Sequence, residues 1–408
     1  MEAVSRPHVT LPTGSSALLE SWLEGWTAGL RGLSEGFAAT LRRGHGGLDL
    51  TRWFEVASAR RRPAWATPHE VVFEAPVGRL RDFSVGRRSG NLVATLVLPP
   101  QAGHDSCIVD YSPEQSQMRT ILNSGLTRAY SLDWIGATRE TADASIGDYL
   151  EVVDRAVGHC GGRVNLIGDC QGGWLAAIYA ALHPERVNTL TLAGAPIDFH
   201  AGVPVIGDLL RRLAPGGDLR FFEAIVAAGG GTLRGKYMLA GFITIKPGDE
   251  ISRQLELLAH LDDPAHVDRY REFEDWFKHT QDIPGAFYLW IVRHLFRDNE
   301  LIEGALEISG ERVDLGRIEM PLNLLAGAAD HITPPDQVFA IAEGAGTPAG
   351  LVQRDVVPGG HLGLFMGHRA LGEHWPPLLA EVLRHSTRVA RKAASGRSSP
   401  GPSSRERP

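Results

Sequence analysis

The ten residues Asn-Leu-Ile-Gly-Asp-Cys-Gln-Gly-Gly-Trp, 165–174, constrain this 408-residue chain more than any other stretch. An apolar run stops at Gly168, an acid and a cysteine follow, and two glycines open a run of helical character, "WLAAIYAALH" (174–183). A Gly-x-Cys-x-Gly pattern between a strand and a helix demands a sharp, strained turn, and the positions two places either side of the cysteine must be tiny. Gly168 and Gly172 meet that demand, and Gly173 lets the helix start close to the strand. The cysteine is left at the tip, at a helix N-terminus that favours an anion. Cys170 is therefore a candidate nucleophile, and the backbone N–H of Gln171 a candidate oxyanion donor.

Around this turn the chain alternates strands with helices. "LVATLVL" (92–98), "TRAYSL" (127–132), "VNLI" (164–167), "TLTLAG" (189–194), "PLNLLAG" (321–327) and "RDVVPGG" (354–360) read as strands. Short apolar strands interleaved with helices imply a parallel sheet covered on both faces. Residues 197–320 break the rhythm with a mainly helical block, read as a cap. The expected organisation is an N-terminal helical region over 1–70, a core over 71–196 and 321–387, the cap over 197–320, and a disordered basic tail over 388–408. Within the first region, residues 16–43 space Leu19, Trp22, Leu23, Trp26, Leu30 and Leu33 at three- and four-residue steps, an apolar stripe that needs a covering surface.

Composition removes several classes of function. A net charge of −7 supplies no basic footprint for nucleic acid. No run approaches ~20 apolar residues, so no transmembrane segment is expected. Three cysteines are too few and odd in number for a secreted disulfide framework, and no signal segment opens the chain, which together point to the cytoplasm. No Cys/His cluster has metal-ligand spacing, so no metal is expected. "GGTLRGKY" (230–237) imitates a phosphate-binding loop, but Tyr237 stands where a Ser or Thr would hold magnesium, and a cap loop is the better reading.

A nucleophile needs a base, and the base an orienting acid. Asp330 follows "PLNLLAG" directly and His361 follows "RDVVPGG", both at the carboxyl ends of strands, where sites in open α/β sheets gather. The chain order Cys170, Asp330, His361 is that of the α/β-hydrolase fold. The expected architecture is accordingly an α/β-hydrolase fold: a mostly parallel sheet with helices on both faces and an inserted helical cap. His331, next to the acid, lacks the glycine-rich strand-end context of His361 and is read as structural.

These segments resemble the polyhydroxyalkanoate synthases, most of all the class that works with a partner subunit. "NLIGDCQGGWLAAIYAALHPERVNTLTLAGAPIDFH" is similar to their nucleophile region, "PLNLLAGAADHITPP" to their acid region and "VPGGHLGLFMG" to their histidine loop, over roughly residues 90–385. The resemblance implies an acyltransferase that polymerises 3-hydroxyacyl-CoA through an acyl-Cys170 intermediate, with 3-hydroxyacyl-CoA as substrate and no bound cofactor. It also implies a polymer granule surface or a partner subunit as neighbours, and leaves a homodimer open. The loop after the first clear strand, "PPQAGHDS" with Gly103 and His104, departs from the synthases and looks more like intracellular polyhydroxyalkanoate depolymerases. That loop is expected to supply the second oxyanion donor. The alternatives are a depolymerase or related ester or thioester hydrolase with the same three residues, and a non-catalytic granule-surface or partner-binding protein. Phe277, Phe287, Tyr288 and Trp290 are expected to cover the site and keep it dry.

Overall fold

A computed structural model describes residues 49–87, 92–202 and 205–395. The stripe at 16–43 lies outside the described residues. Eight strands form one sheet: β1 (Glu70–Ala75), β2 (Gly78–Asp82), β3 (Ala94–Leu98), β4 (Ala129–Trp134), β5 (Val164–Asp169), β6 (Val187–Ala193), β7 (Leu322–Gly327) and β8 (Val352–Val357). Their order is β1-β2-β4-β3-β5-β6-β7-β8. β2 is antiparallel to both neighbours, and the pairings from β4 to β8 are parallel. This is the α/β-hydrolase sheet. Its first two strands are not legible in the sequence, because a hairpin at the sheet edge carries Glu70, Glu74, Arg79 and Arg81 among its apolar residues.

The inner strands bury both faces. In β3, Leu96 and Leu98 pack with one layer and Val97 with the other; in β5, Leu166 and Ile167 divide in the same way. That is the period-2 alternation of a strand with helices on both sides. Helix α1 (Leu50–Ser58) precedes the sheet, while α2 (Gln117–Asn123), α3 (Ile146–His159) and α4 (Gln171–Leu182) cross between strands. Met118 and Ile121 of α2 lie on the Val97 side, and Tyr149 of α3 and Trp174 of α4 on the Leu96 side.

Between β6 and β7 the chain leaves the sheet for α5 (Val205–Leu213), α6 (Arg220–Ala228), α7 (Gly235–Ile245), α8 (Pro247–Ala259), α9 (Pro264–Phe277) and α10 (Gly285–Trp290). The "GGTLRGKY" run forms the short strand Thr232–Leu233 and the first turn of α7. α1 joins this group rather than the sheet: Val56 packs with Leu257, Leu261, Val267 and Tyr270. Arg60, just beyond α1, pairs with the fully buried Glu274, which also takes Arg253 and Lys278. A carboxylate without solvent needs such partners.

The last helix, α11 (Trp375–Ser395), corrects the expectation of a tail without structure from residue 388. Its final residues, "RVARKAAS", are mostly Ala, Arg and Lys, strong helix formers that extend an existing helix at little cost. The Ser-, Gly- and Pro-rich remainder, 396–408, lies outside the described residues.

The glycines at the turn are packing requirements. A Cβ at Gly172 would lie 2.0 Å from the Leu98 carbonyl oxygen, and one at Gly173 would lie 2.2 Å from the Ala195 Cβ. Gly350, by contrast, faces open space. Gly172→Ala or Gly173→Ala should therefore cost at least about 1–3 kcal/mol, the usual range for overpacking, whereas Gly350→Ala should lie within about 0.5 kcal/mol of the parent. Chemical denaturation of the three variants checks this.

Candidate active site

Cys170 sits between the end of β5 and the start of α4 with φ 49° and ψ −117°, a backbone conformation rare for any residue but glycine. It is held there from both sides. Its N–H donates to the Ala193 carbonyl at 2.8 Å, and its carbonyl accepts from the Gly173 N–H at 2.9 Å. The half-buried thiol is thereby aimed away from the sheet into a cavity of about 440 Å³, whose wall includes Cys170, Gln171 and His361.

The loops after β7 and β8 deliver the other two residues as one unit. Ala328 N–H donates to Val357 and Ala329 N–H to Gly359, each at 2.9 Å. Asp330 is buried, and its Oδ1 accepts the backbone N–H groups of Ile332 and Thr333 at 2.9 and 2.8 Å. Those bonds turn Oδ2 toward His361, 2.7 Å from its Nδ1. Cys170 and His361 lie beside each other on the cavity wall, close enough for their charges to interact. Burial alone would lower the pKa of His361, but the charges of Cys170 and Asp330, together with their hydrogen bonds, outweigh it and hold the pKa well above the ordinary imidazole range. The structure thus gathers Cys170, His361 and Asp330 as one chain beside the cavity, with His361 hydrogen-bonded to Asp330. Such a chain can pass a proton from the thiol to the ring while the carboxylate fixes the ring's orientation.

Gln171 opens α4, so its N–H is one of the unpaired donors of the first helical turn. His104 reaches the same cavity from the loop after β3. Gly103 beside it adopts φ 79°, and its carbonyl accepts from the Gln281 N–H at 2.8 Å. His104 is itself clasped by the cap, stacked on Trp276 at 5.1 Å and on Phe277 at 5.5 Å between ring centroids. Burial pulls its pKa down to about 4, so the ring is neutral at physiological pH.

Two expectations need correction. Of the four aromatic residues expected to cover the site, only Phe277 lines the cavity. Phe287 stacks on Tyr149 at 4.0 Å, Trp290 lies against Trp174 at 6.0 Å, and Tyr288 meets Phe222, so these three hold the cap to α3 and α4 or to itself. The cover comes instead from Phe242 on α7, with Phe273 and Trp276 beside Phe277 on α9. The spacing of "FEDWF" on a helix could have revealed this face. His331 is not a remote structural residue either: it lines the cavity half-buried, and its Nδ1 has no hydrogen-bond partner. Burial, with the nearby charge of Lys246, lowers its pKa. Among the described residues, no group of three or more His, Cys, Asp or Glu is gathered to hold a metal, and no helix is long and apolar enough to cross a membrane.

Sheet order and site geometry together define an α/β-hydrolase-fold protein with a cysteine at the turn after β5. The chain belongs to the family described as "Protein of unknown function (DUF3141)", whose profile matches residues 91–344. It is also similar to proteins named poly(3-hydroxyalkanoate) polymerase subunit PhaC. The one from Haloferax mediterranei is 27% identical over 320 residues, covering 76% of this chain and 62% of the relative. The one from Allochromatium vinosum is 26% identical over 281 residues, covering 66% and 75%. The chain thus spans less than two thirds of the Haloferax protein. Among solved structures, a carboxylesterase of Nitrososphaera gargenis matches with a TM-score of 0.45 at 16% identity, covering 80% of this chain and all of the other. The chain is thus similar in sequence to polyhydroxyalkanoate polymerase subunits, on an α/β-hydrolase fold.

The three cysteines should differ sharply in reactivity. Cys107 and Cys160 are buried, and burial raises both thiols, Cys160 to about 12 and Cys107 well above its usual range. In native protein at neutral pH, iodoacetamide should modify Cys170 at least about tenfold faster than either. Peptide mass spectrometry after timed alkylation reads the three rates, and His361→Ala should slow the Cys170 rate alone.

Proposed function

We propose that this protein is a polyhydroxyalkanoate-synthase-like acyltransferase that transfers 3-hydroxyacyl units through an acyl-Cys170 intermediate. The observation that carries the reading is the Cys170–His361–Asp330 chain opening on a covered, mainly aliphatic and aromatic cavity. The polymerase names of the relatives support the choice of substrate.

The chemistry follows from the geometry. His361 takes the thiol proton, and the Cys170 sulfur attacks the acyl carbon of a 3-hydroxyacyl thioester. The negative charge on the former carbonyl oxygen falls to the Gln171 N–H and to a donor from the Gly103–His104 loop. As the carbon–sulfur bond to CoA breaks, the His361 imidazolium returns the proton to the leaving thiolate. The acyl-enzyme then waits for an acceptor. The hydroxyl of a second 3-hydroxyacyl unit gives its proton to His361, attacks the acyl carbon and forms an ester, releasing Cys170. Water in place of that hydroxyl would give a free acid.

The covered site favours the first acceptor. Phe242, Phe273, Trp276 and Phe277 roof the cavity, and the Trp276 Nε1–H donates to the Asp105 carbonyl at 2.9 Å, tying the roof to the core. A hydrolase of the depolymerase type remains the second reading, favoured by the loop at 101–106 with its His104.

Purified protein given 3-hydroxybutyryl-CoA should release CoA with the acyl units recovered as oligomer or polymer, either alone or with a polymerase partner subunit supplied. Cys170→Ala should lower turnover by at least about 10³-fold, and the Cys170→Ala/His361→Ala double variant should be no slower than the worse single, since residues of one catalytic unit do not add. CoA release that yields only free 3-hydroxy acid under every partner condition would move the assignment to the hydrolase.

A further inference from the structure

Asp169, the residue immediately before the nucleophile, takes no part in the mechanism above. As the last residue of β5 it is fully buried on the α2 side of the sheet, and it is not among the residues lining the cavity. Gln117 of α2, also fully buried, donates from Nε2 to Asp169 Oδ1 at 3.2 Å. Two atoms of this pair are left over, Asp169 Oδ2 and Gln117 Oε1, both buried and both without a hydrogen-bond partner. As a carboxylate and an amide these are two acceptors, and acceptors cannot satisfy each other.

A single proton resolves both. A carboxylic acid and a primary amide form a cyclic pair, the amide N–H donating to one carboxyl oxygen and the acid O–H to the amide oxygen. We propose that Asp169 is held as the neutral acid, closing such a pair with Gln117, and that this neutrality keeps an uncompensated negative charge away from the Cys170 sulfur. Asp169 is thus a positioning residue that acts on the nucleophile through its charge state, and the proposal rests on Cys170 being the reactive thiol.

The electrostatics agree. Burial pushes the Asp169 pKa up to about 8, against the hydrogen bond from Gln117 and the charge of His361, which pull it down. The groups that act on it are Gln117 from α2 and His361 from the loop after β8, with Asp330 bonded to the far side of the imidazole. His361 Nδ1 is engaged by Asp330, and among the described residues the imidazole makes no hydrogen bond to Asp169. Above about pH 8 the acid ionises, and a carboxylate one residue from the sulfur disfavours the thiolate. A nearby like charge disfavours a neighbour's charged form, so ionised Asp169 slows the reaction of the Cys170 sulfur.

The sign for stability is equally definite. The folded protein keeps a proton that the unfolded chain releases near pH 4, so Asp169 lowers stability progressively from about pH 4 to about pH 8. A carboxylate paired with His361 would do the opposite.

Asp169→Asn tests this, because an amide reproduces the neutral acid, with an N–H where the O–H stood. The melting temperature of Asp169→Asn relative to the parent should rise between about pH 4 and pH 8 and then level off. An infrared carboxylic-acid carbonyl band should be present in the parent at neutral pH and absent in the variant. The ratio of Cys170 alkylation rates, parent over variant, should fall about tenfold between about pH 7 and pH 9. A melting difference that moves the other way, or an alkylation ratio that stays flat, overturns the proposal. Alkylation reads the thiol without a substrate, so an enzyme that ignores 3-hydroxyacyl-CoA but passes these tests removes only the substrate assignment.

Discussion

The close fit between the β5–α4 turn and the strands beside it is the constraint on which the rest of the site depends. Gly172 lies against the Leu98 carbonyl and Gly173 against Ala195, at distances no side chain could share. Because the helix starts that close to the sheet, Cys170 is forced to φ 49°, and the Ala193 carbonyl and the Gly173 N–H fix it there. The strain stored in one residue is offset by contacts spread over three strands. The same fit places the start of α4 at the cavity that the sulfur faces, so the candidate nucleophile and candidate oxyanion donor share one packing event.

Electrostatic order at the site is built against burial. His361 and Asp330 are buried, and an isolated charge in either place would be costly. The Asp330 carboxylate is satisfied by two backbone N–H groups before it meets the imidazole, and the charges of Cys170 and Asp330 act together on that imidazole. Each group is paid for by the next. Asp169 lies outside this chain, buried beside it with Gln117 as its hydrogen-bond partner among the described residues, the environment for which we propose a neutral acid.

The cap does more than cover. Its α9 supplies Trp276 and Phe277, which clasp His104, while Gln281 bonds the Gly103 carbonyl, so the loop after β3 is shaped as much by the cap as by its own strand. α1 and Arg60 bind the same helical group, where Arg60, Arg253 and Lys278 neutralise Glu274 and Arg253 also reaches the cavity wall. The loop expected to supply the second oxyanion donor is thus tied to residues nearly two hundred positions later in the chain.

Local chemistry made much of this legible in the amino-acid order. The five buried apolar strands, the glycine turn with Cys170, and the strand-end positions of Asp330 and His361 all follow from short-range patterns, because a buried parallel strand needs continuous apolar residues and a sharp turn needs glycine. Where a pattern was weak the structure decided. β1 and β2 alternate with charges at an exposed edge, and the last helix continues through residues whose helix propensity is visible only once a helix is there to extend. Side-chain direction was likewise beyond the sequence: Phe277 turns into the cavity while Phe287, Tyr288 and Trp290 turn onto neighbouring helices, and His331 faces the site. Which face of a cap helix meets the sheet depends on contacts among segments far apart in the chain. The sequence alone could name the candidate nucleophile, base and acid; only the packing of cap on sheet determined what surrounds them.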